Sequence, residues 1–206
     1  MCSPSSNTIR KRVKTNSYFT VGADREFDVL RDTQDIDASP SPLAFFPAST
    51  NASSVRQDYQ HPLPYDHVVT SIRVKSTAGA IRSTDLTTVD VHAILNALHE
   101  GQLVVTGNDG DSVLGRVDID KVMNLADAYI TKRELGADAD GNDEWTLHLP
   151  SGGYYDLNQG IELVNGDDYG AEIRFEDDSA FPAAGDYEGK QLGLKVDLKV
   201  GVPAPE

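Results

Sequence analysis

Apolar residues recur at every second position over much of this chain. The clearest case is its last full segment, where Leu192, Leu194, Val196, Leu198 and Val200 alternate with Lys195, Asp197 and Lys199. A period of two marks a strand with one face in a core and one in water. Val68, Thr70, Ile72 and Val74 alternate in the same way with Val69, Ser71, Arg73 and Lys75. Pro62 and Pro64 mark where a loop enters that second strand. Shorter strand patterns occupy residues 18–21, 27–30, 103–106, 112–117, 129–135, 145–149, 161–164 and 171–175. Asn108, Asp109 and Gly110 make strong turn chemistry between two of them, and Asn165 with Gly166 between another two.

The period changes to 3.6 in one place. Val91, Ile94, Leu95 and Leu98 follow the i, i+3, i+4, i+7 rule and predict a helix over residues 87–100. Thr87 with Asp90 resembles a capping box, and Gly101 is placed to stop the helix. Val122, Leu125, Ala126 and Tyr129 predict a second, shorter helix over residues 120–129.

Many short strands, strong turns and one or two inserted helices predict an all-β fold, an antiparallel jelly-roll β-sandwich of about eight strands. No internal repeat favours a propeller or a double jelly roll. The expected partners of the strand at 192–200 are the 66–75 strand, the 145–149 segment and the hairpin around Gly166, with Pro203 and Pro205 stopping its extension.

The organisation reads as a polar, basic arm over residues 1–16 and a single domain over residues 17–206. Residues 32–64 read as a long loop punctuated by Pro40, Pro42, Pro47, Pro62 and Pro64. A loop of this length is a working loop or an extended arm lying on something. Phe45 and Phe46 are then the buried anchor of an inter-subunit arm, or they pack on their parent domain.

Charge sharpens this picture. The net charge is -15. Arg10, Lys11, Arg12 and Lys14 nonetheless lie in an N-terminal stretch without acids. That cluster is a solvated tail or an anchor for an anionic partner: nucleic acid, lipid head groups or an acidic neighbouring subunit. Residues 136–188 hold fourteen Asp or Glu and one base, Arg174, so general nucleic-acid binding by the body is disfavoured. The single cysteine, Cys2, precludes an internal disulfide and fits assembly in a reducing cytoplasm. No apolar run approaches the roughly 20 residues that span a bilayer, and the N-terminus lacks the apolar core of a secretory signal.

Candidate chemistry is sparse. There is no nucleophile elbow, phosphate-cradling loop or dinucleotide fingerprint. His61, His67, His92, His99 and His148 are scattered; His92 and His99 stand seven apart, not the four of a helical metal pair. The expectation is a protein that is not an enzyme and takes no small-molecule substrate or cofactor. Calcium is the one ion weighed. Asp109 and Asp111 in the first turn, and Asp138 and Asp140 in the second acidic loop, cluster hard oxygen ligands. Gly141 falls at the wrong position for an EF-hand, and an acidic turn needs no ion.

A basic arm, a proline-rich loop, the Leu63 to Val74 segment, a short helix, acidic hairpins and a long strand running into Val200, Gly201, Val202, Pro203, Ala204 and Pro205 follow one another. This order resembles the jelly-roll coat proteins of icosahedral viruses, particularly the single jelly-roll major capsid proteins of tailless phages and archaeal viruses with an internal membrane. The resemblance is architectural, covers about residues 17–202 and carries no diagnostic motif. It implies a virion protein made in the host cytoplasm. Such a subunit forms homo-oligomeric capsomers with other capsid proteins, and its arm meets neighbours, viral membrane or genome. The alternative is a carbohydrate-binding or adhesive β-sandwich, with Trp145, Tyr154, Tyr155 and Tyr169 as a sugar-stacking platform.

Overall fold

The computed structural model describes residues 26–47, 63, 66–107, 112–134, 143–164 and 166–202. Within them the chain is mostly β. In order come β1 (Glu26–Asp35), β2 (Leu43–Phe45), β3 (His67–Ser76), β4 (Ala80–Ser83), helix α1 (Val91–Glu100), β5 (Gln102–Gly107) and β6 (Ser112–Asp118). Helix α2 (Ile119–Met123), β7 (Tyr129–Glu134), β8 (Asp143–His148), β9 (Tyr155–Leu163), β10 (Tyr169–Arg174) and β11 (Gly193–Val202) follow. They form three antiparallel sheets: a first of order β1-β11-β3-β9, a second of order β2-β10-β5-β6 and a third of order β4-β8-β7.

The alternation in β11 does what its period requires. Leu194, Val196, Leu198 and Val200 are fully buried on one face. They share a single core with Leu103, Val105, Ala171 and Ile173 of the second sheet. Each such side chain withdrawn from water contributes about 1.5–3 kcal/mol. The two sheets meet closely at β6 and β9, where a Cβ added to Gly115 would lie 2.5 Å from Ile161 Cδ1. A side chain on β6 there requires Ile161 to shift.

The strand at 192–200 is central rather than peripheral. It lies between β1 and β3, so of its three expected partners only the 66–75 strand is adjacent. The 145–149 segment belongs to the third sheet and the strand after Gly166 to the second. Its true second partner, β1, runs ten residues to Asp35 and so enters the region expected to be loop. The pattern hid it because Asp32 occupies an inward-facing position, paired with Val196, where an apolar residue is the norm. The short β2 also falls in that region, pairing with β10 through Phe45 and Ala171.

Helix α1 starts later than expected, with Asp90 rather than Thr87 as its cap. The Asp90 carboxylate accepts from the backbone N–H groups of His92 and Ala93. Thr87 instead belongs to the preceding turn, where its N–H and hydroxyl donate to Asp85. Val91, Ile94, Ala97 and Leu98 are the buried stripe. The second helix is shorter than its spacing suggested. Asn124 takes a left-handed conformation, a short 3₁₀ turn follows, and Tyr129 already begins β7. Both helices and the third sheet are insertions between the strands of the first two sheets.

Candidate functional site

The most constructed polar feature is a rung on the outward face of the first sheet. Arg31, Asp197 and Arg73 lie side by side on β1, β11 and β3. Arg31 Nε donates to Asp197 Oδ1 at 2.7 Å, and Arg73 Nε donates to Oδ2 at 2.9 Å. Arg73 Nη2 adds a second bond to the same Oδ2. Asp197 is wholly buried although it sits on the polar side of its strand. Burial pushes its carboxyl up, and the hydrogen bonds and charges of the two guanidiniums more than reverse this, holding it below the usual carboxylate range. The Arg73 guanidinium also lies 4.5 Å from the Tyr154 ring, and Lys199 Nζ 5.9 Å from it. Beyond, Ser71 donates to Asp156 at 2.7 Å.

A second buried carboxylate works on the inward face. Asp32 accepts from the N–H of Phe46 at 2.7 Å, from the N–H of Thr33 at 2.7 Å and from Gln34 Nε2 at 3.2 Å. Phe46 has a φ of 58°, a conformation a bulky residue rarely takes. Asp32 thus holds the chain as it leaves β2. Burial pushes the Asp32 carboxyl above its usual range despite these three donors.

Two recesses open where β6 and β9 face each other. One, of about 290 Å³, is polar and lined by Arg116, Asp118, Lys121, Tyr155, Asn158 and Gln159 among others. Lys121 there donates to Asp118 at 2.6 Å. The other, of about 60 Å³, is lined by Leu114, Leu163, Val164 and Tyr169, with Glu162, Asp167 and Asp168 around it. Leu114, Val164 and the adjacent Val113 are exposed. The first recess gathers charge and hydrogen-bonding groups; the second is an apolar patch with an acidic rim.

Phe45 and Phe46 are buried in this chain's own core, and the Phe46 ring centroid lies 5.9 Å from that of Tyr169. They tie the chain to its parent domain, not to a neighbour as an inter-subunit arm. Arg10, Lys11, Arg12 and Lys14 lie outside the described residues, as do Asp109, Asp111, Asp138 and Asp140. Among the described residues no group of three or more His, Cys, Asp or Glu is placed to hold a metal. The four aromatics of the sugar platform are not brought together. Tyr169 is in the core, Trp145 in the third sheet beside His92 and Lys132, and Tyr154 and Tyr155 belong to the first sheet's side. His99 Nδ1 lies 3.0 Å from Asp120 Oδ1, His92 sits edge-on to Trp145 at 5.3 Å, and His148 stacks on Tyr129 at 4.5 Å. The Arg–Asp–Arg rung was missed. Its signal was one Asp flanked by lysines in the polar register of a strand, but its partners depend on a register that no local pattern states.

Compared with protein-family models, curated proteins and solved structures, the chain matches none.

Proposed function

We propose that this chain is a structural virion protein, a jelly-roll capsid subunit that self-assembles into an icosahedral shell. The strand order carries the reading. With the inserted β4, β7 and β8 set aside, eight strands remain: β1, β2, β3, β5, β6, β9, β10 and β11. Numbered one to eight, they run 1-8-3-6 in one sheet and 2-7-4-5 in the other. First pairs with last, second with seventh, third with sixth and fourth with fifth. Wrapping one long folded-over ribbon of eight strands produces this interleaving, which supports the jelly-roll reading. The step from fold to shell rests on analogy with the coat proteins it resembles.

Surface features agree with a subunit role. The exposed Leu114 and Val164 form an apolar patch rimmed by acids, the composition of a protein contact. The buried carboxylates hold backbone and register, which suits a scaffold. The basic arm of residues 1–16 and a shared shell with other capsid proteins belong to the same reading.

Size-exclusion chromatography with light scattering, followed by negative-stain microscopy, tests it. The expected result is concentration-dependent assembly into rings or closed shells. A strict monomer at every protein and salt concentration overturns the proposal.

A further inference from the structure

The polar recess of about 290 Å³ between β6 and β9 is shaped by an irregularity in β9. Asp156 pairs with Ser71 of β3, and Ile161 pairs with Val69. The stretch of β9 from Leu157 to Gly160 therefore stands opposite Thr70 alone. Extra residues of this kind bend a strand, re-aim its side chains and recur beside binding sites. Gly160 seats the bulge against β3. A Cβ added to it would lie 2.5 Å from Val68 Cγ1 and 3.3 Å from the Val69 carbonyl oxygen. The bulge brings Asn158 and Gln159 to the recess, and β6, the edge strand of the second sheet, supplies the facing wall.

The groups on these walls differ in how they are satisfied. Lys121 donates to Asp118 at 2.6 Å, and the two make a neutral pair. Asp118, and more weakly the Tyr155 phenol, hold the Lys121 ammonium above its ordinary range, so the phenol lies at the charged end of the recess. Arg116, Asn158 and Gln159 are exposed and Tyr155 is half-buried. Among the described residues, none of these four side chains makes a hydrogen bond or ion pair within the chain. The cross-strand neighbour of Arg116 on β5 is Val104, so no acid faces it across the sheet. Asp156, the nearest acid along β9, accepts from Ser71 at 2.7 Å. Arg116 thus leaves the recess net positive in a chain of net charge -15.

This set of groups matches one kind of ligand. A guanidinium is a planar fork that holds a carboxylate through two parallel bonds. Carboxamides both donate and accept, as sugar hydroxyls do. Of the aromatics expected to stack on sugar, Tyr155 lines this recess, and the half-buried Val117 and Leu157 add apolar wall for the C–H faces of a ring. Clefts for small molecules begin at roughly 300 Å³, so the space suits one sugar ring. We infer that the recess binds a carboxylated sugar, a hexuronate free or at the end of a glycan. Arg116 takes the carboxylate, and Asn158 and Gln159 take ring hydroxyls. Such a site stands whether or not the chain builds a shell.

Saturation-transfer NMR observing the ligand tests this on the full-length chain, since it reads a monomer and a shell alike. Sodium D-glucuronate is expected to give a saturable signal. D-Glucose, which lacks the carboxylate, and sodium acetate, which lacks the ring, are each expected to bind about tenfold more weakly or worse. Arg116→Ala is expected to weaken glucuronate by about tenfold or more while its melting temperature stays within about 2 °C of wild type. Asn158→Ala combined with Gln159→Ala is expected to weaken glucuronate about fivefold and to leave acetate unchanged.

No saturable signal from glucuronate overturns the inference. Acetate or inorganic phosphate that binds as tightly as glucuronate and competes with it makes the recess a general anion site and overturns the sugar. Glucose as tight as glucuronate, or unchanged glucuronate binding in Arg116→Ala, overturns the carboxylate. A strict monomer that still binds glucuronate through Arg116 supports this site and overturns the shell proposal alone.

Discussion

Replacing Asp197 by Asn is the most informative single change, since it removes one charge and almost no volume. Each Arg–carboxylate contact at this range is about 4 kcal/mol at an effective dielectric of 20. Burial of the carboxylate offsets several kcal/mol of that. The Arg31 and Arg73 side chains keep 31% and 23% of their exposure, so solvent screens them in part. The net loss is therefore placed at about 3 kcal/mol, the low end for a broken buried pair. For a domain of this size that is a fall in melting temperature of about 6–12 °C. The pH dependence fixes the cause. A carboxylate whose folded pKa lies below its ordinary 3.8 gives stability that is fully present above 3.8 and lost as pH falls through the folded value. The gap between wild type and Asp197→Asn is thus expected to be constant from pH 7 to about 5 and to shrink below 3.8. Thermal unfolding followed by circular dichroism across that range measures it. A gap under 2 °C at pH 7, or one that persists unchanged at pH 2, refutes the ion-pair account.

The other buried carboxylate has the opposite sign. The folded pKa of Asp32 lies above 3.8, so its ionisation destabilises the fold as pH rises through that interval; Asp32→Asn is expected to flatten this fall, and a chemical-denaturation series over pH 3–7 reports it. Asp32→Ala removes the acceptor of the buried Phe46 N–H and is expected to lose about 1–3 kcal/mol, read from the same denaturation midpoints. Gly115→Ala drives a methyl into Ile161 and is expected to lose about 1–3 kcal/mol, with partial recovery on adding Ile161→Val; no recovery places the clash elsewhere. Asp90→Ala removes the α1 cap and is expected to lose about 1 kcal/mol, whereas Thr87→Ser is expected to be silent at the helix, which thermal melts distinguish.

Local periodicity made β3, β5, β6, β10 and β11 legible, although β3 bulges at Thr70, so that Val69 rather than Thr70 precedes Ile72 on the inward face, and β6 bulges at Leu114. It failed wherever an inward position is polar or the element borrows its stability. Asp32 broke the pattern of β1, and β2 is three residues long and exists through its pairing with β10. β4 was not read at all: its two inward positions are Ile81 and Ser83, too little to register. β9 is longer than its apolar end at 161–163, since its first half is exposed and carries a register shift against β3. The polar site was invisible for a different reason. Each of Arg31, Arg73 and Asp197 looks like an ordinary solvent-facing residue, and only the pairing of β1 and β3 with β11, more than a hundred residues further along the chain, brings them together.

That pairing bears on how the fold chooses one register. An alternating strand slipped by one residue turns its apolar face outward, so hydrophobicity forbids it. A slip by two residues keeps every apolar side chain facing inward, and β11 has Leu or Val at four successive inward positions. On the apolar side the two-residue slip is nearly degenerate. The polar side removes the degeneracy. Slipping β1 by two places Arg31 against Lys195 or Lys199, with Val29 or Thr33 respectively beside Asp197; slipping β3 places Arg73 in the same position, with Ser71 or Lys75 respectively beside Asp197. Each slip creates a like-charge contact and takes one guanidinium from the carboxylate; only one of the four, with Lys75 beside Asp197, puts another cation in its place. One Asp among lysines on β11 is therefore enough to select the native alignment of three long strands. An apolar rung at the same place would match its stability but not its choice of register. Lys195 and Lys199, two residues either side of Asp197, make this selection sharp, because each meets an arginine in a slipped register.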